Sequence, residues 1–259
     1  MKRYPLYIFD LDGTLYRGDE AISFAPESVQ GLKESGAEIR YLTNNSGQTR
    51  EFFLAKLRRM GFPVELNEIE STAHGAAIYL LSQQINSVYV VGEPGLVHTL
   101  RQAGLSVVNA NADGAVDPDG AESEAVVVGI CRKFTYDLMR GAMGRIRSGQ
   151  LFVATNTDST YPLEGDLLIP GAGSIVAGIR TCAEKEPFVV GKPNPFLVTL
   201  VLKDAGCEPL DALVVGDRVD TDLLSGANAG CPTHLVLTGV TKVPPAGQSF
   251  SDDLRGLLA

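Results

Sequence analysis

Acidic, basic and hydroxyl side chains follow four short apolar runs of this sequence, at the places where the runs end. The first run is followed by Asp10 and Asp12, and three later runs end at or beside Thr43, Lys192 and Asp217. Buried strands of a parallel sheet read as continuous apolar runs, and ligands bind in the crevice beyond their carboxyl ends. The pattern therefore predicts one site that holds a metal ion and a phosphate group.

Asp10 and Asp12 are separated by a single residue at the end of a predicted strand. Side chains two residues apart on a strand point to the same side, and two negative charges so close repel one another unless a cation lies with them. Mg²⁺ is commonly held by one or two carboxylates together with substrate phosphate and water. We therefore expect a divalent metal here, with Asp217 as a third protein ligand.

A phosphate ester bound beside such a metal would be open to attack by a carboxylate. Asp10 would act as the nucleophile and form an aspartyl-phosphate, because covalent catalysis divides a difficult displacement into two easier steps. Asp12 would protonate the leaving alkoxide and then deprotonate the water that hydrolyses the intermediate. The Lys192 ammonium and the Thr43 hydroxyl would bind the phosphoryl oxygens.

Each of these segments also has a purely structural interpretation. Asp12 followed by Gly13 is typical of an acidic turn, Lys192 alone is more often a solvated surface lysine, and Thr43 alone is more often a helix N-cap. The segment 216–222 has the composition of a loop that caps the following helix. The functional interpretation is favoured because all four segments lie at strand ends in one chain.

The elements that would position these side chains alternate between strand and helix almost throughout. The predicted strands are 6–9, 39–42, 88–91, 126–128, 151–154, 188–190, 213–215 and 235–237. The predicted helices are 26–35, 49–60, 75–82, 96–103, 136–147, 174–183, 195–205 and 221–229, and 109–124 is predicted to be a surface loop. Such alternation is typical of an α/β protein with a mainly parallel sheet.

The candidate site residues fall into two groups, 10–46 and 192–222. The long stretch between them continues the strand and helix alternation without comparable acidic strand ends. The simplest explanation is one domain inserted into another. We predict a core formed by 1–82 and 187–259, with an inserted domain at 83–186.

The composition disfavours several other classes of protein. The 259 residues are 44% hydrophobic, which suits one domain of average size and a smaller second one. A formal charge of −9 gives no basic surface for nucleic acid or an anionic membrane. No apolar stretch is long enough to span a bilayer or to form a signal peptide, so a cytoplasmic protein is expected. The cysteines and histidines show neither zinc-ligand spacing nor a disulfide framework.

Four ordered segments carry the candidate residues. They are Asp10-Leu11-Asp12-Gly13-Thr14, Thr43-Asn44-Asn45, Gly191-Lys192-Pro193 and Gly216-Asp217-Arg218-Val219-Asp220-Thr221-Asp222. Their order and spacing resemble the motifs of haloacid dehalogenase (HAD) superfamily phosphatases. The forms of the last two, and the large insertion before them, resemble the branch that contains NagD, p-nitrophenyl phosphatases and phosphoglycolate phosphatases. Two further segments, 154–158 and 170–173, resemble motifs of the same branch.

The resemblance implies a HAD-like Rossmannoid core with an inserted α/β cap domain that closes over the site. It implies Asp10 as nucleophile, Asp12 as general acid and base, and Mg²⁺ bound by Asp10, the backbone carbonyl of Asp12 and Asp217. The other roles that it implies are phosphate binding by Thr43, Asn44 and Lys192, and support of the site by Asp222. A homodimer formed through the cap is a further expectation from the family.

Two functions of different classes are compatible with these residues. The leading hypothesis is Mg²⁺-dependent hydrolysis of a small phosphomonoester, which leaves sugar phosphate, nucleotide, phosphoglycolate and aryl phosphate open as substrates. The alternative is a catalytically silent protein of the same fold with a binding or regulatory role. Such a protein is expected to lack at least one catalytic residue, whereas Asp10, Asp12, Lys192 and Asp217 are all present.

Overall fold

The computed structural model describes residues 2–162 and 168–258, and helices and strands alternate along most of this length. The strands are β1 Leu6–Asp10, β2 Tyr16–Arg17, β3 Glu20–Ala21, β4 Glu38–Thr43, β5 Ile69–Ser71, β6 Ser87–Val91, β7 Ser106–Val107, β8 Ala125–Val128, β9 Leu151–Ala154, β10 Thr160–Pro162, β11 Leu168–Pro170, β12 Phe188–Val189, β13 Ala212–Gly216, β14 Thr233–Val236 and β15 Phe250–Ser251. The α-helices are α1 Ala25–Glu34, α2 Arg50–Arg59, α3 Thr72–Ser82, α4 Pro94–Gln102, α5 Tyr136–Arg147, α6 Ala172–Ala183, α7 Phe196–Ala205 and α8 Leu224–Asn228. Short 3-10 helices span Leu66–Glu68, Pro209–Asp211 and Leu254–Leu257, and a π-helical segment spans Val219–Leu223.

The chain forms two compact units that alternate along the sequence. The first unit contains Met1–Thr43, Arg50–Glu70 and Lys192–Ala259, and the second contains Asn44–Thr49 and Ser71–Gly191. Most of the second unit is thus inserted, in sequence, into the first. The second unit takes in residues on both sides of the predicted range 83–186, and the assignment of a cap to that range stays a prediction.

The first unit is built on a six-stranded sheet in the order β15-β14-β13-β1-β4-β5. The pairs β1 with β13, β1 with β4, β13 with β14 and β14 with β15 are all parallel. In β1 the four residues before Asp10 are buried, as expected for a central parallel strand that is covered on both faces. The predicted α/β class with a mainly parallel sheet is confirmed.

The register of this sheet brings the ends of three strands to nearly the same level. Asp10 on β1 is paired with Leu42 on β4, and Phe9 is paired with Val215 on β13. Thr43 and Asp217 each follow one residue beyond the level of Asp10. Because neighbouring strands lie about 4.8 Å apart, side chains at these three positions share one edge of the sheet.

Helices α1 and α2 cover this sheet with apolar faces. In α1 a proline occupies the first turn, and Val29 and Leu32, three residues apart, are buried. In α2 the buried residues are Phe53 and Leu57, which are four residues apart. All four residues pack in one hydrophobic core with the side chains of the strands. This packing holds in place the strand ends that carry the candidate site.

The second unit is built on a five-stranded sheet in the order β12-β9-β8-β6-β7, and its pairs are parallel. Its core joins the strands to α5 and α6. The segment 109–124 contains neither helix nor strand apart from an isolated bridge between Ala110 and Val116, which confirms the predicted loop. Strand β12 follows residue 186, the predicted end of the insertion, and pairs with β9.

The helix predicted over 221–229 is present, but it is not one uniform α-helix. The chain forms the π-helical segment Val219–Leu223 first, and α8 starts only at Leu224. A π-helical turn is wider than an α-helical one, and such turns occur frequently at functional sites. Within this turn the Asp222 carboxylate accepts hydrogen bonds from Lys192, from the N–H of Arg218 and from the Thr221 hydroxyl. None of the described helices is long and apolar enough to cross a membrane.

Candidate active site

Asp10 lies where the buried strand β1 reaches solvent. Its carboxylate is partly exposed, and the Thr14 hydroxyl donates to its Oδ2 at 3.4 Å. Between the two residues the chain turns at Gly13, whose φ of +85° is in the left-handed region that glycine adopts without strain. The turn therefore folds the polar residues of the first motif back over the end of β1.

Lys192 lies in the loop between β12 and α7 and joins two carboxylates. Its Nζ donates to Asp10 Oδ1 at 2.5 Å and to Asp222 Oδ1 at 2.7 Å. The side chains of Lys192 and Asp222 are 3% and 4% exposed, and that of Asp10 is 13% exposed. Burial disfavours the charge on Lys192, but the two carboxylates outweigh it, so the pKa of Lys192 lies above its usual value. The lysine is a fixed buried cation rather than a surface side chain.

Backbone N–H groups orient the carboxylates of Asp217 and Asp222. Asp217 Oδ2 accepts from the N–H of Val240 at 2.5 Å. Asp222 Oδ2 accepts from the N–H of Arg218 at 3.0 Å. Gly216 makes this arrangement possible, because a Cβ at that position would lie 2.3 Å from the Cβ of Asp222.

The donor set fits a hard divalent cation. Asp10, Asp217 and Asp222 each have one carboxylate oxygen that lies within 4.8 Å of the other two. Burial, followed by the charge of Asp222, raises the pKa of Asp10 well above its usual value and that of Asp217 to about 6. Three carboxylates (−3) and the Lys192 ammonium (+1) sum to −2 when all are ionised, and a divalent cation balances that charge. Clustered carboxylate oxygens are the ligands that Mg²⁺ prefers.

The carboxylate of Asp12 stands apart from this group of three. Asp12 is an exposed residue, yet the protein on its inner side raises the pKa of the carboxyl by desolvation, while the Lys56 ammonium and the Tyr16 hydroxyl lower it. The Lys56 Nζ lies 4.1 Å from the centre of the Tyr16 ring. A raised pKa suits a group that must carry a proton to a leaving alkoxide. Lys56 and Tyr16 escaped the sequence analysis because neither lies in a motif that carries chemistry.

The predicted phosphate-binding residues Thr43 and Asn44 fall in different units. Thr43 is buried at the end of β4 in the first unit. In the second unit, the Asn44 side-chain amide donates to the carboxylate of Asp158 at 3.1 and 3.4 Å. The Asn44 carbonyl accepts from the Thr72 hydroxyl at 2.9 Å and from the Asn156 amide at 2.7 Å. Asn44 is thus anchored to the segment 154–158, which resembles a motif of the family.

The two later segments that resemble branch motifs, 154–158 and 170–173, pack against each other. The N–H of Gly173 donates to the Asp158 carbonyl at 2.9 Å. A Cβ at Gly171 would lie 2.2 Å from the same carbonyl oxygen, so only glycine leaves room for this approach. The close packing gives a structural reason for the glycines of the second segment.

Comparisons with known proteins show the family of this chain. Residues 7–106 match the family model for haloacid dehalogenase-like hydrolases, and residues 189–254 match a HAD-hydrolase-like model. The chain is 38% identical over 248 residues to a glycerol-3-phosphate phosphatase of Gallus gallus, an alignment that covers 90% of this chain and 80% of the relative. The chain belongs to the haloacid dehalogenase superfamily. Within this superfamily, matches to solved structures of a p-nitrophenyl phosphatase and of a putative NagD protein confirm the predicted resemblance to that branch.

Solved structures of this HAD branch have the same fold. The p-nitrophenyl phosphatase from Archaeoglobus fulgidus is 33% identical with a TM-score of 0.87, and the match covers 98% of both chains. A glycerol phosphate phosphatase from Mycobacterium tuberculosis, in a structure in complex with magnesium, is 33% identical with a TM-score of 0.83 and covers 98% of this chain and 76% of that one. This HAD-superfamily chain is a phosphoric monoester hydrolase.

Proposed function

We propose that the chain hydrolyses small phosphomonoesters in a Mg²⁺-dependent reaction through an aspartyl-phosphate on Asp10. The observation that carries the proposal is the placement of Asp10 at a strand end, where it accepts a hydrogen bond from the buried ammonium of Lys192 and has an oxygen within 4.8 Å of a carboxylate oxygen of Asp217. The Asp10 carboxylate is thus next to both a buried ammonium and the proposed cation site. Both attract a phosphate group to the nucleophile.

The proposed metal ligands are Asp10, Asp217 and the backbone carbonyl of Asp12. The Asp222 carboxylate contributes further negative charge, which the ion balances. When bound, Mg²⁺ neutralises the repulsion between the Asp10 carboxylate and an anionic phosphate. Burial, followed by the charge of Asp222, raises the pKa of both Asp10 and Asp217, and a bound cation would favour the ionised form of each carboxyl.

In the first half of the reaction, a carboxylate oxygen of Asp10 attacks phosphorus. The bond between phosphorus and the ester oxygen breaks, and the leaving alkoxide takes a proton from Asp12. The Lys192 ammonium and the Thr43 hydroxyl bind the phosphoryl oxygens as charge moves onto them, and Asn44 is a further proposed phosphate ligand. The products of this half are the free alcohol and an acyl phosphate on Asp10.

In the second half, Asp12, now a carboxylate, takes a proton from a water molecule while the water oxygen attacks phosphorus. The bond between the Asp10 oxygen and phosphorus breaks, which restores the Asp10 carboxylate and releases inorganic phosphate. Asp222 keeps Lys192 in place through both halves by its hydrogen bond of 2.7 Å. Asp12 thus donates a proton as a general acid in the first half and accepts one as a general base in the second.

The substrate class proposed is a small soluble phosphomonoester, with glycerol 3-phosphate and an aryl phosphate as the first compounds to test. This choice is supported by the glycerol-3-phosphate phosphatase and p-nitrophenyl phosphatase relatives. Sugar phosphates, nucleotides and phosphoglycolate belong in the same panel. A cap formed by 83–186, a homodimer and a cytoplasmic location complete the proposal.

Phosphate release from this panel tests the function, measured for the wild type, Asp10→Asn and Asp113→Asn. Asp113 is exposed in the second unit, so Asp113→Asn makes the same chemical change away from the site. We expect Mg²⁺-dependent release by the wild type and Asp113→Asn, its loss in EDTA, and none by folded Asp10→Asn. Release by Asp10→Asn at the wild-type rate would contradict the role of Asp10, and no release by the wild type would favour the catalytically silent alternative.

A further inference from the structure

We propose that Gly239 is a positioning residue that holds the Asp217 carboxylate in place for the divalent cation. Gly239 belongs to the segment 238–241, which follows β14, the strand next to β13 in the sheet. The segment lies outside all four motifs that carry the candidate site. The inference rests on the proposed metal site and extends that site to a fifth part of the chain.

Three hydrogen bonds tie the segment 238–241 to the site. The Thr238 hydroxyl donates to the carbonyl of Gly13 at 2.7 Å. The Val240 N–H donates to Asp217 Oδ2 at 2.5 Å, and the Thr241 N–H donates to the Asp217 carbonyl at 3.1 Å. The segment therefore holds Asp217 by both its backbone and its side chain, and it also holds the turn that follows Asp10.

Gly239 makes this contact possible because it has no side chain. A Cβ at position 239 would lie 1.9 Å from Asp217 Oδ2 and 2.5 Å from the Asp217 Cβ. Rotation of the carboxylate relieves the first contact but not the second, so the backbone of one of the two segments must move. The φ of Gly239 lies outside the left-handed region, so space alone, and not backbone conformation, requires glycine here.

The hydrogen bond from the Val240 N–H fixes the orientation of the Asp217 carboxylate. One oxygen of this carboxylate lies within 4.8 Å of an oxygen of Asp10 and of Asp222, so its orientation affects a cation held by the three. If the segment is displaced, the carboxylate loses this bond and can rotate. Groups that orient a metal ligand typically contribute roughly 10- to 100-fold to metal affinity. A displaced segment should therefore weaken metal binding by a factor in that range.

A role limited to packing predicts a different result. Gly239→Ala would then lower the melting temperature without changing the affinity of the folded chain for the metal. The measurement that separates the two is direct titration of the full chain with Mn²⁺, followed by electron paramagnetic resonance in the absence of any substrate. Mn²⁺ takes the same oxygen ligands as Mg²⁺ and is visible in this assay.

The experiment compares the wild type with Gly239→Ala, Thr238→Val, Thr238→Ser and Gly144→Ala. Thr238→Val removes the hydrogen bond to Gly13 with little change in volume and provides a second test if Gly239→Ala fails to fold. Thr238→Ser retains the hydroxyl. Gly144 lies on an exposed face of α5 with no atom within 4 Å of an added Cβ, so Gly144→Ala is the matched control.

We expect Gly239→Ala to bind Mn²⁺ roughly 10- to 100-fold more weakly than the wild type. Thr238→Val should also bind more weakly, while Thr238→Ser and Gly144→Ala should bind like the wild type. Wild-type affinity in both folded Gly239→Ala and Thr238→Val would overturn the positioning role and leave the proposed function intact. Failure of the wild type itself to bind Mn²⁺ would overturn the metal site and this inference with it.

Discussion

Replacement of Lys192 by methionine removes the ammonium that joins Asp10 and Asp222 while it keeps most of the side-chain volume. Lys192 donates to Asp10 at 2.5 Å and to Asp222 at 2.7 Å, and all three side chains are largely buried. Without the lysine, the charge of the cluster with Asp217 changes from −2 to −3 when all carboxylates are ionised. The substitution therefore tests whether this ammonium offsets the charge of the site.

The size of the effect follows from the burial of the pair. Removing one partner of a buried ion pair costs about 3–5 kcal/mol because it leaves the other charge without compensation. We expect Lys192→Met to lower the free energy of unfolding by about that amount without a metal. Added Mg²⁺ should restore part of the loss, because a ligand that binds only the folded state stabilises it.

The same substitution should slow catalysis. Loss of one oriented donor to developing charge typically costs about 10²- to 10³-fold in rate. We expect a decrease of that size in kcat/KM for Lys192→Met, together with weaker inhibition by the product, inorganic phosphate.

The assays are urea denaturation with and without Mg²⁺ and phosphate release under initial-rate conditions. Lys203→Met is the matched control, because Lys203 is exposed on α7 and the chemical change is the same. Its effect on stability should stay within about 0.5 kcal/mol. A Lys192→Met variant within 1 kcal/mol of the wild type in stability, or within tenfold in kcat/KM, would refute the reasoning about this lysine.

Three further outcomes follow from the site and the core. Asp217→Asn should raise the Mg²⁺ concentration for half-maximal phosphate release at least tenfold, and an unchanged value would argue against a metal ligand at this position. Gly216→Ala should lower the free energy of unfolding by about 1–3 kcal/mol, because the added Cβ would lie 2.3 Å from the Cβ of Asp222. A midpoint of urea denaturation equal to that of the wild type would contradict this. Burial lowers the pKa of His234 from 6.5 to about 4, so the unfolded chain binds a proton first as the pH falls. Stability should be full above pH 6.5 and should decrease toward pH 4 by about 3 kcal/mol, a slope that His234→Gln should lack in denaturation curves across this range.

The central strands of the first unit were predictable because burial on both faces leaves an uninterrupted apolar run. The run that ends at Asp10 and the run that ends at Asp217 are examples, and both strands lie where predicted. Lys192 and Asp222 could be assigned to the site only through their motifs, because nothing in a single lysine or aspartate shows that it will be buried.

Other features depend on contacts that no local pattern contains. The hydrogen bond between Asn44 and Asp158 joins residues 114 positions apart, and the N–H of Val240 is a backbone donor that any residue type except proline would supply. The π-helical segment that carries Asp222 has the periodicity of an ordinary helix start in sequence. Strands of two residues, such as β7 and β15, are too short to produce an alternating pattern.

The central claim is that Asp10 forms a covalent phosphoenzyme. Its most direct test is to quench the wild type during turnover with Mg²⁺ and an active phosphomonoester, and then to treat it with borohydride, which reduces an acyl phosphate to an alcohol. Peptide mass spectrometry should find homoserine at position 10 in the wild type and only asparagine there in Asp10→Asn. Unmodified aspartate at position 10 under turnover conditions, with homoserine at another aspartate or at none, would contradict the claim.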